Sequence, residues 1–240
     1  HGAMCMSYSG RCLLSNFMVG RDANRGSCTH PCRWKYSLVE EKRPGEYYPV
    51  EEDDRGSYIM NSRDLCMLDK LPDLIDAGIS SLKIEGRMKS PFYVATVVSA
   101  YRAALDEYLE DPDNYTFQEK WYKELCKASH REFYHGFYYS KPDSSGQNYS
   151  SSDYTREYSF IGVVRGYEPD SGLTIVEQRN KFCVGEDIEV FGPSTDYTDE
   201  IVREMYDENN NPIESAPHPQ QIIKVKLSKT YPSDFILRKK

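Results

Sequence analysis

The chain has 240 residues, 39% hydrophobic and 28% charged, with a net charge of −8. No run of about eighteen apolar residues occurs, so a membrane-spanning helix is excluded, and without a basic-then-apolar leader secretion is not expected. Seven cysteines, an odd number, fit poorly with a fully paired disulfide framework.

The charge is uneven along the chain. Residues 1–36 carry Arg11, Arg21, Arg25, Arg33 and Lys35 against Asp22, a local +4 that leaves −12 for the remainder. A basic segment can meet a polyanion despite an acidic whole, or it can pair with acids elsewhere in the fold. His1 stands where a methionine would start a chain, which reads as a piece of a longer one.

Past this segment, Tyr47–Val50 and Ser57–Met60 flank the polar turn Glu51–Gly56 as a hairpin. Ser62 or Asp64 is a candidate cap for a short helix with Leu71, Leu74 and Ile75 on one face, stopped by Gly78. Residues Ser80–Gly86 alternate as a strand. Ser90 and Pro91 then open a helix whose apolar stripe is Val94, Val97, Val98, Tyr101 and Leu105, running to about Leu109. This strand–helix series predicts parallel α/β architecture.

Gln118–Ala128 reads as a further helix, and Lys141–Asp153 as a linker with little to bury. Beyond it the hydrophobic period becomes two. Short strands are expected at Tyr158–Val164, Leu173–Glu177, Asp187–Phe191, Glu200–Tyr206 and Ile222–Leu227, separated by turns such as Glu168–Gly172 and Asp207–Pro212. The expectation is therefore α/β at 1–140, a linker at 141–157, and a small antiparallel β-barrel or sandwich at 158–240.

Cys5, Cys12, Cys28 and Cys32 follow the spacing C-x6-C-x15-C-x3-C, with Cys66 further on. Thiolates gathered around glycine turns suit a soft metal or an iron–sulfur cluster, and neighbouring arginines offset their charge. The spacing is neither a zinc ribbon nor a ferredoxin run, so it does not identify the metal, and free cysteines are often small core residues. Cys126 and Cys183 are read as packing residues.

The run His1-Gly2-Ala3-Met4-Cys5-Met6-Ser7-Tyr8-Ser9-Gly10-Arg11-Cys12-Leu13-Leu14-Ser15 resembles the signature of the collagenase-like peptidase family U-32. Gly20–Gly26, Cys28–Trp34, Asn61–Leu65 and Leu82–Ser90 continue the resemblance. Phe191-Gly192-Pro193 and Ala216–Gln221 look like the family's C-terminal extension. The resemblance implies a TIM-like (β/α) barrel of which residues 1–140 are the C-terminal part, the earlier half being missing. It points most closely to the branch that forms 5-hydroxyuridine at the tRNA wobble position in dependence on prephenate. It implies a 4Fe–4S cluster on Cys5, Cys12 and Cys28, with Cys32 slightly ahead of Cys66 as the fourth ligand. tRNA as partner and a cytoplasmic location come with it.

A hydrolase should show its machinery, yet no G-x-S-x-G elbow or H-E-x-x-H helix occurs. The peptidase reading rests on the family name. By the family alignment Lys83, Glu85 and Arg87 lie at the C-terminal end of a barrel strand, where such barrels place their active sites. Lys83 and Glu85 then share one face, and charges pointing into a barrel are costly unless paired or used. Arg87 and Lys83 are suited to gripping a dicarboxylate such as prephenate. The alternative is a Lys83–Glu85 pair on a solvated edge. Arg11, Arg21, Arg25 and Arg33 are candidates for tRNA phosphates, and Tyr8 and Trp34 for stacking on the wobble base. A third class is a non-catalytic RNA-binding or assembly module, with the β domain presenting RNA or a partner protein.

Overall fold

The computed structural model describes residues 1–4, 12–34, 36–38, 41–42, 44–45, 48–49, 62–140, 146 and 154–240. Cys5, Tyr8, Arg11, the turn 51–56, the strand 57–60 and all of the linker 141–153 but Gly146 lie outside the described residues. The chain divides into two compact units, residues 1–89 with 130–155 and residues 90–129 with 156–240.

The first unit contains β1 (Gly2–Ala3), α1 (Leu14–Val19), β2 (Ser37–Leu38), β3 (Tyr48–Pro49), β4 (Asp64–Leu65), α2 (Leu71–Asp76) and β5 (Phe133–Tyr134). β4 lies between β1, antiparallel to it, and β5, parallel to it. Tyr48–Pro49 pairs with Ser37–Leu38, whereas the partner expected for it, Ser57–Met60, is outside the described residues. The parallel barrel implied by the resemblance is not seen among the described residues, where β4–β5 is the parallel pair.

Asp64 does not cap a helix. It is a buried strand residue whose carboxylate accepts the Arg131 backbone N–H at 3.1 Å. The α-helix starts only at Leu71, with Pro72 at its first turn and no side-chain cap. Gly78 ends it at φ 78°, a left-handed conformation that favours glycine. Ser80–Gly86 joins no strand ladder in the described residues. There Glu85 donates its N–H to the His1 carbonyl at 2.8 Å. The alternation read from the sequence survives as burial, with Leu82 and Ile84 half-buried and Lys83, Glu85 and Arg87 exposed. These charges face solvent in this chain.

The second unit opens with α3 (Pro91–Glu110) and α4 (Glu119–Cys126). Ser90 caps α3 by accepting the Tyr93 N–H at 3.3 Å, and Pro91 needs no partner for the donor it lacks. The buried face is rotated from the expected stripe. Phe92, Val97, Ala100, Tyr101 and Ala104 are buried, while Val94 and Val98 are exposed. Alanines on the buried face let α4 approach closely, and Phe92 packs against Phe160 and Phe191 with ring centroids 5.9 and 6.1 Å away.

The strands follow as β6 (Ser159–Glu168), β7 (Leu173–Gln178), β8 (Phe182–Cys183), β9 (Asp187–Phe191), β10 (Tyr197–Ile201), β11 (Met205–Tyr206), β12 (Ser215–Ala216), β13 (Ile222–Val225) and β14 (Ile236–Lys239). Seven of them form an antiparallel sheet in the order β10-β9-β14-β6-β7-β13-β11, and β8 pairs with β12. Alternate side chains of these strands, among them Ile161, Val176, Ile188, Val190, Ile223, Val225 and Leu237, make its core. The expected Asp207 turn forms, with the carboxylate accepting the N–H groups of Asn209 and Asn211 at 2.9 and 2.8 Å. β14 was not legible in the sequence because Ile236-Leu237-Arg238-Lys239 reads as a polar tail.

Arg238 of that strand is fully buried and its guanidinium forks onto Glu124 of α4. Its Nε donates to Glu189 of β9 at 2.7 Å, and Lys127 reaches Glu124 and Glu189 at 3.1 and 2.8 Å. Two cations thus face two carboxylates in a closed network roofed by Phe191, 4.4 Å from the guanidinium. Removing one partner of such a group leaves an uncompensated buried charge. Arg238→Ala should lower the stability of the chain by about 3–5 kcal/mol in urea unfolding. A loss under about 1 kcal/mol, the range of surface pairs, would contradict the network.

Burial pushes the Glu189 carboxyl up, but its bonds to Lys127 and Arg238 outweigh this and hold it below the ordinary range. Glu200 is likewise raised by burial and lowered further by hydrogen bonds from Ser228 and Tyr231, each hydroxyl 2.6 Å away. A carboxyl lowered on folding adds stability above its unfolded pKa of about 4.3, which is lost as pH falls through the folded value. The wild type should therefore lose more stability than Glu200→Gln between about pH 5 and pH 3. Equal losses in urea titrations at those pH values would refute this.

Candidate functional site

The segment from Cys12 to Tyr36 is built from short turns tied together by side chains. α1 lasts six residues and closes on Gly20 at φ 68°. Asp22 accepts from Asn16 Nδ2 at 2.6 Å and lies 3.5 Å from Arg25, fixing the turn Ala23–Arg25 that Gly26 ends at φ 73°. The buried hydroxyl of Ser15 accepts the Thr29 N–H at 3.0 Å and joins the two ends of the segment. A turn over Pro31–Arg33 then presents Trp34, whose indole N–H reaches the Thr29 carbonyl at 3.3 Å. Trp34 stacks on Tyr36 at 6.3 Å, and the Tyr36 hydroxyl donates to the Pro31 carbonyl at 2.8 Å. Burial, and then the thiolate of Cys32, raise the Tyr36 phenol above its usual pKa.

Four of the five candidate thiols fall in described residues. Cys12 and Cys28 are half-buried, and Cys32 and Cys66 are buried. Cys28 Sγ accepts the N–H of His30, which sits at φ 53°. Cys66 follows β4 and gives its N–H to the Tyr134 carbonyl at 3.0 Å. Thiols are the right donors for iron. Even so, no group of three His, Cys, Asp or Glu side chains stands ready to hold one metal ion among the described residues. Cys5 lies outside the described residues, so the four described thiols support a cluster by donor type alone, and no chemical step is routed through one.

Arg87 is brought to the basic segment from a distant part of the chain. A Cβ on Gly26 would lie 1.2 Å from Arg87 Nη1 and 1.9 Å from its Cζ. The guanidinium therefore occupies the space a side chain at 26 would take. Glu85 holds the Arg87 backbone N–H at 3.2 Å. Arg21, Arg25, Lys83, Glu85 and Arg87 are all exposed. Trp34 is 40% exposed. The Arg33 side chain and the whole of Arg11 lie outside the described residues.

Two features escaped the sequence reading. Beyond the carboxyl ends of the parallel pair β4–β5, His135 Nε2 lies 3.1 and 3.3 Å from the Asp69 carboxylate oxygens. Tyr139 donates to Asp73, whose acceptor bond pushes the phenol up to about 12. Phe137, Tyr138 and Tyr139 are exposed there, at the sheet end where α/β folds commonly bind ligands. The run His135-Gly136-Phe137-Tyr138-Tyr139 was the available signal, and Gly136 takes φ 60°. The other feature is Phe17 on α1, 88% exposed.

Comparison with known proteins gives two family matches, Peptidase family U32 over residues 1–148 and Peptidase family U32 C-terminal domain over residues 156–238. A relative from Bacillus subtilis described as tRNA hydroxylation protein P1 is 41% identical over 241 residues, covering 100% of this chain and 57% of its own length. The Escherichia coli tRNA hydroxylation protein P is 35% identical, with 80% and 51% covered. A Porphyromonas gingivalis protein described as a collagenase is 32% identical, with 99% and 56% covered. The chain thus spans about half the length of these curated relatives. A solved C-terminal domain of a U32 peptidase from Geobacillus thermoleovorans is 36% identical over 34% of this chain and 99% of that one, at a TM-score of 0.32.

Proposed function

The chain belongs to peptidase family U32, and on that premise we propose that its protein hydroxylates tRNA, at C5 of the wobble uridine. The observation that carries the reading is the match across the whole chain to a tRNA hydroxylation protein. The exposed basic and aromatic surface of residues 12–36 agrees with an RNA substrate.

In this reading Arg11, Arg21, Arg25 and Arg33 neutralise phosphates, and Trp34 stacks on an unpaired base. Arg87, set over Gly26 and steadied through its backbone by Glu85, grips a carboxylate of prephenate together with Lys83. Arginine offers a planar fork that matches a carboxylate, and lysine adds a point charge. Cys5, Cys12 and Cys28, with Cys32 or Cys66 as the fourth ligand, are the thiols proposed to hold a 4Fe–4S cluster. When bound, such a cluster supplies electron transfer. The C-terminal sheet unit serves as an accessory surface for RNA or a partner protein, and the protein works in the cytoplasm.

The collagenase relatives support a second reading, peptide cleavage. A third is a non-catalytic RNA-binding module. The three part in one experiment. Cells lacking the protein should lose wobble 5-hydroxyuridine derivatives in tRNA mass spectra and regain them with the wild-type gene. Unchanged tRNA beside a peptide-cleavage defect would establish the peptidase, and unchanged tRNA without one would leave the binding module. Separately, the protein purified without oxygen should carry about four irons per chain. Cys5→Ala, Cys12→Ala and Cys28→Ala should each remove them, and an unaltered iron content would reject the cluster.

A further inference from the structure

We propose that Phe17, with the apolar rim of Leu13, Met18 and Val19, is a base-stacking site for unpaired nucleotides of the tRNA loop. This rests on the tRNA reading above and adds a residue and a contact to it. Phe17 is 88% exposed and Leu13, one helical turn before it, is 76% exposed. Met18 and Val19 are exposed beside them, and the Tyr36 hydroxyl lies 3.3 Å from Met18 Sδ. Tyr36 in turn carries the stacked Trp34. Exposed apolar side chains gathered in this way mark an interaction surface.

The surrounding charge is of the kind that meets a polyanion. α1 ends at Gly20, and exposed Arg21 and Arg25 follow directly, with Arg87 packed on Gly26. Of the acids there, Asp22 is engaged by Asn16 and Arg25, and Glu85 accepts the Arg87 backbone N–H. Arginine and aromatic residues are enriched at protein interfaces as well, so the choice of RNA rests on the tRNA reading. Aromatic rings edged by arginines suit single-stranded nucleic acid, whose bases stack on rings while guanidinium groups meet phosphates. An anticodon loop offers such unstacked bases beside a modified position, which a base-paired stem does not. Ser15 and Thr29 fix the helix to the Trp34 turn, so the ring is presented on a braced element.

The test measures binding of the whole protein to an anticodon stem-loop and to a fully paired RNA duplex of equal charge. Phe17→Ala should weaken stem-loop binding about tenfold, the scale of one lost base stack, with little change for the duplex. Phe17→Trp should restore it. Arg21→Ala should weaken both RNAs alike and reduce the salt dependence by about one unit of slope. Unchanged stem-loop affinity in Phe17→Ala, or equal loss on both RNAs, would overturn the stacking site while the tRNA reading stands. Lower thermal stability in Phe17→Ala with full RNA affinity would assign the patch to a protein neighbour instead. No stem-loop binding by the wild type would remove the tRNA reading and this inference together.

Discussion

A guanidinium without solvent has to be answered by carboxylates, and the arrangement of the second unit follows from how Arg238 meets that demand. Its fork takes Glu124 from α4 and its Nε takes Glu189 from β9, while Lys127 balances the second negative charge. The helix, the last strand and a neighbouring strand are thereby fixed at one point, with each charge matched. Hydrophobic packing around it, Phe92 on Phe160 and Phe191, is non-directional and tolerates rotation. The ion network does not, because a buried charge left unpaired costs several kcal/mol. This explains why α3 and α4, which precede β5 in sequence, belong to the same compact unit as the C-terminal sheet.

The first unit uses a different device. It has short strands and short turns, and its precision comes from residues that a side chain would spoil. Gly26 leaves room for Arg87, Gly20 closes α1, and Gly136 lets the loop after β5 press against Leu65. Small polar ties, Ser15 to Thr29 and Asn16 to Asp22, brace the segment around α1. The outcome is a surface where rings and arginines stand outward. That is costly for a core and useful for a partner with flat bases and negative charge.

Most of the elements were legible where a local rule is strong. Ser90-Pro91 marked the start of α3, Gly78 the end of α2, and alternating residues the strands β6, β7, β9 and β13. The buried face of α3 was misread because Val94 and Val98 are as apolar as the residues chosen instead. Alanine and threonine, which pack closely against α4 and the sheet, send a weaker signal. β14 was missed because two of its four residues are charged. Asp64 looked like a helix cap, since a carboxylate before an apolar run serves either purpose until its partner, the Arg131 N–H, is known.

The basic segment, its cysteines and its arginines were visible in the sequence by itself, since charge and residue type are local properties. The sequence likewise determined the family to which the chain belongs. What only the tertiary structure decided is which distant groups share a surface. Arg87 lies against Gly26, His135 pairs with Asp69, and Phe17 stands in solvent beside the Trp34 turn. Lys83 and Glu85 are exposed in alternation with the half-buried Leu82 and Ile84. Each of these depends on non-local contacts, whose partners are chosen by burial, register and room for a side chain, none of which a run of residues records.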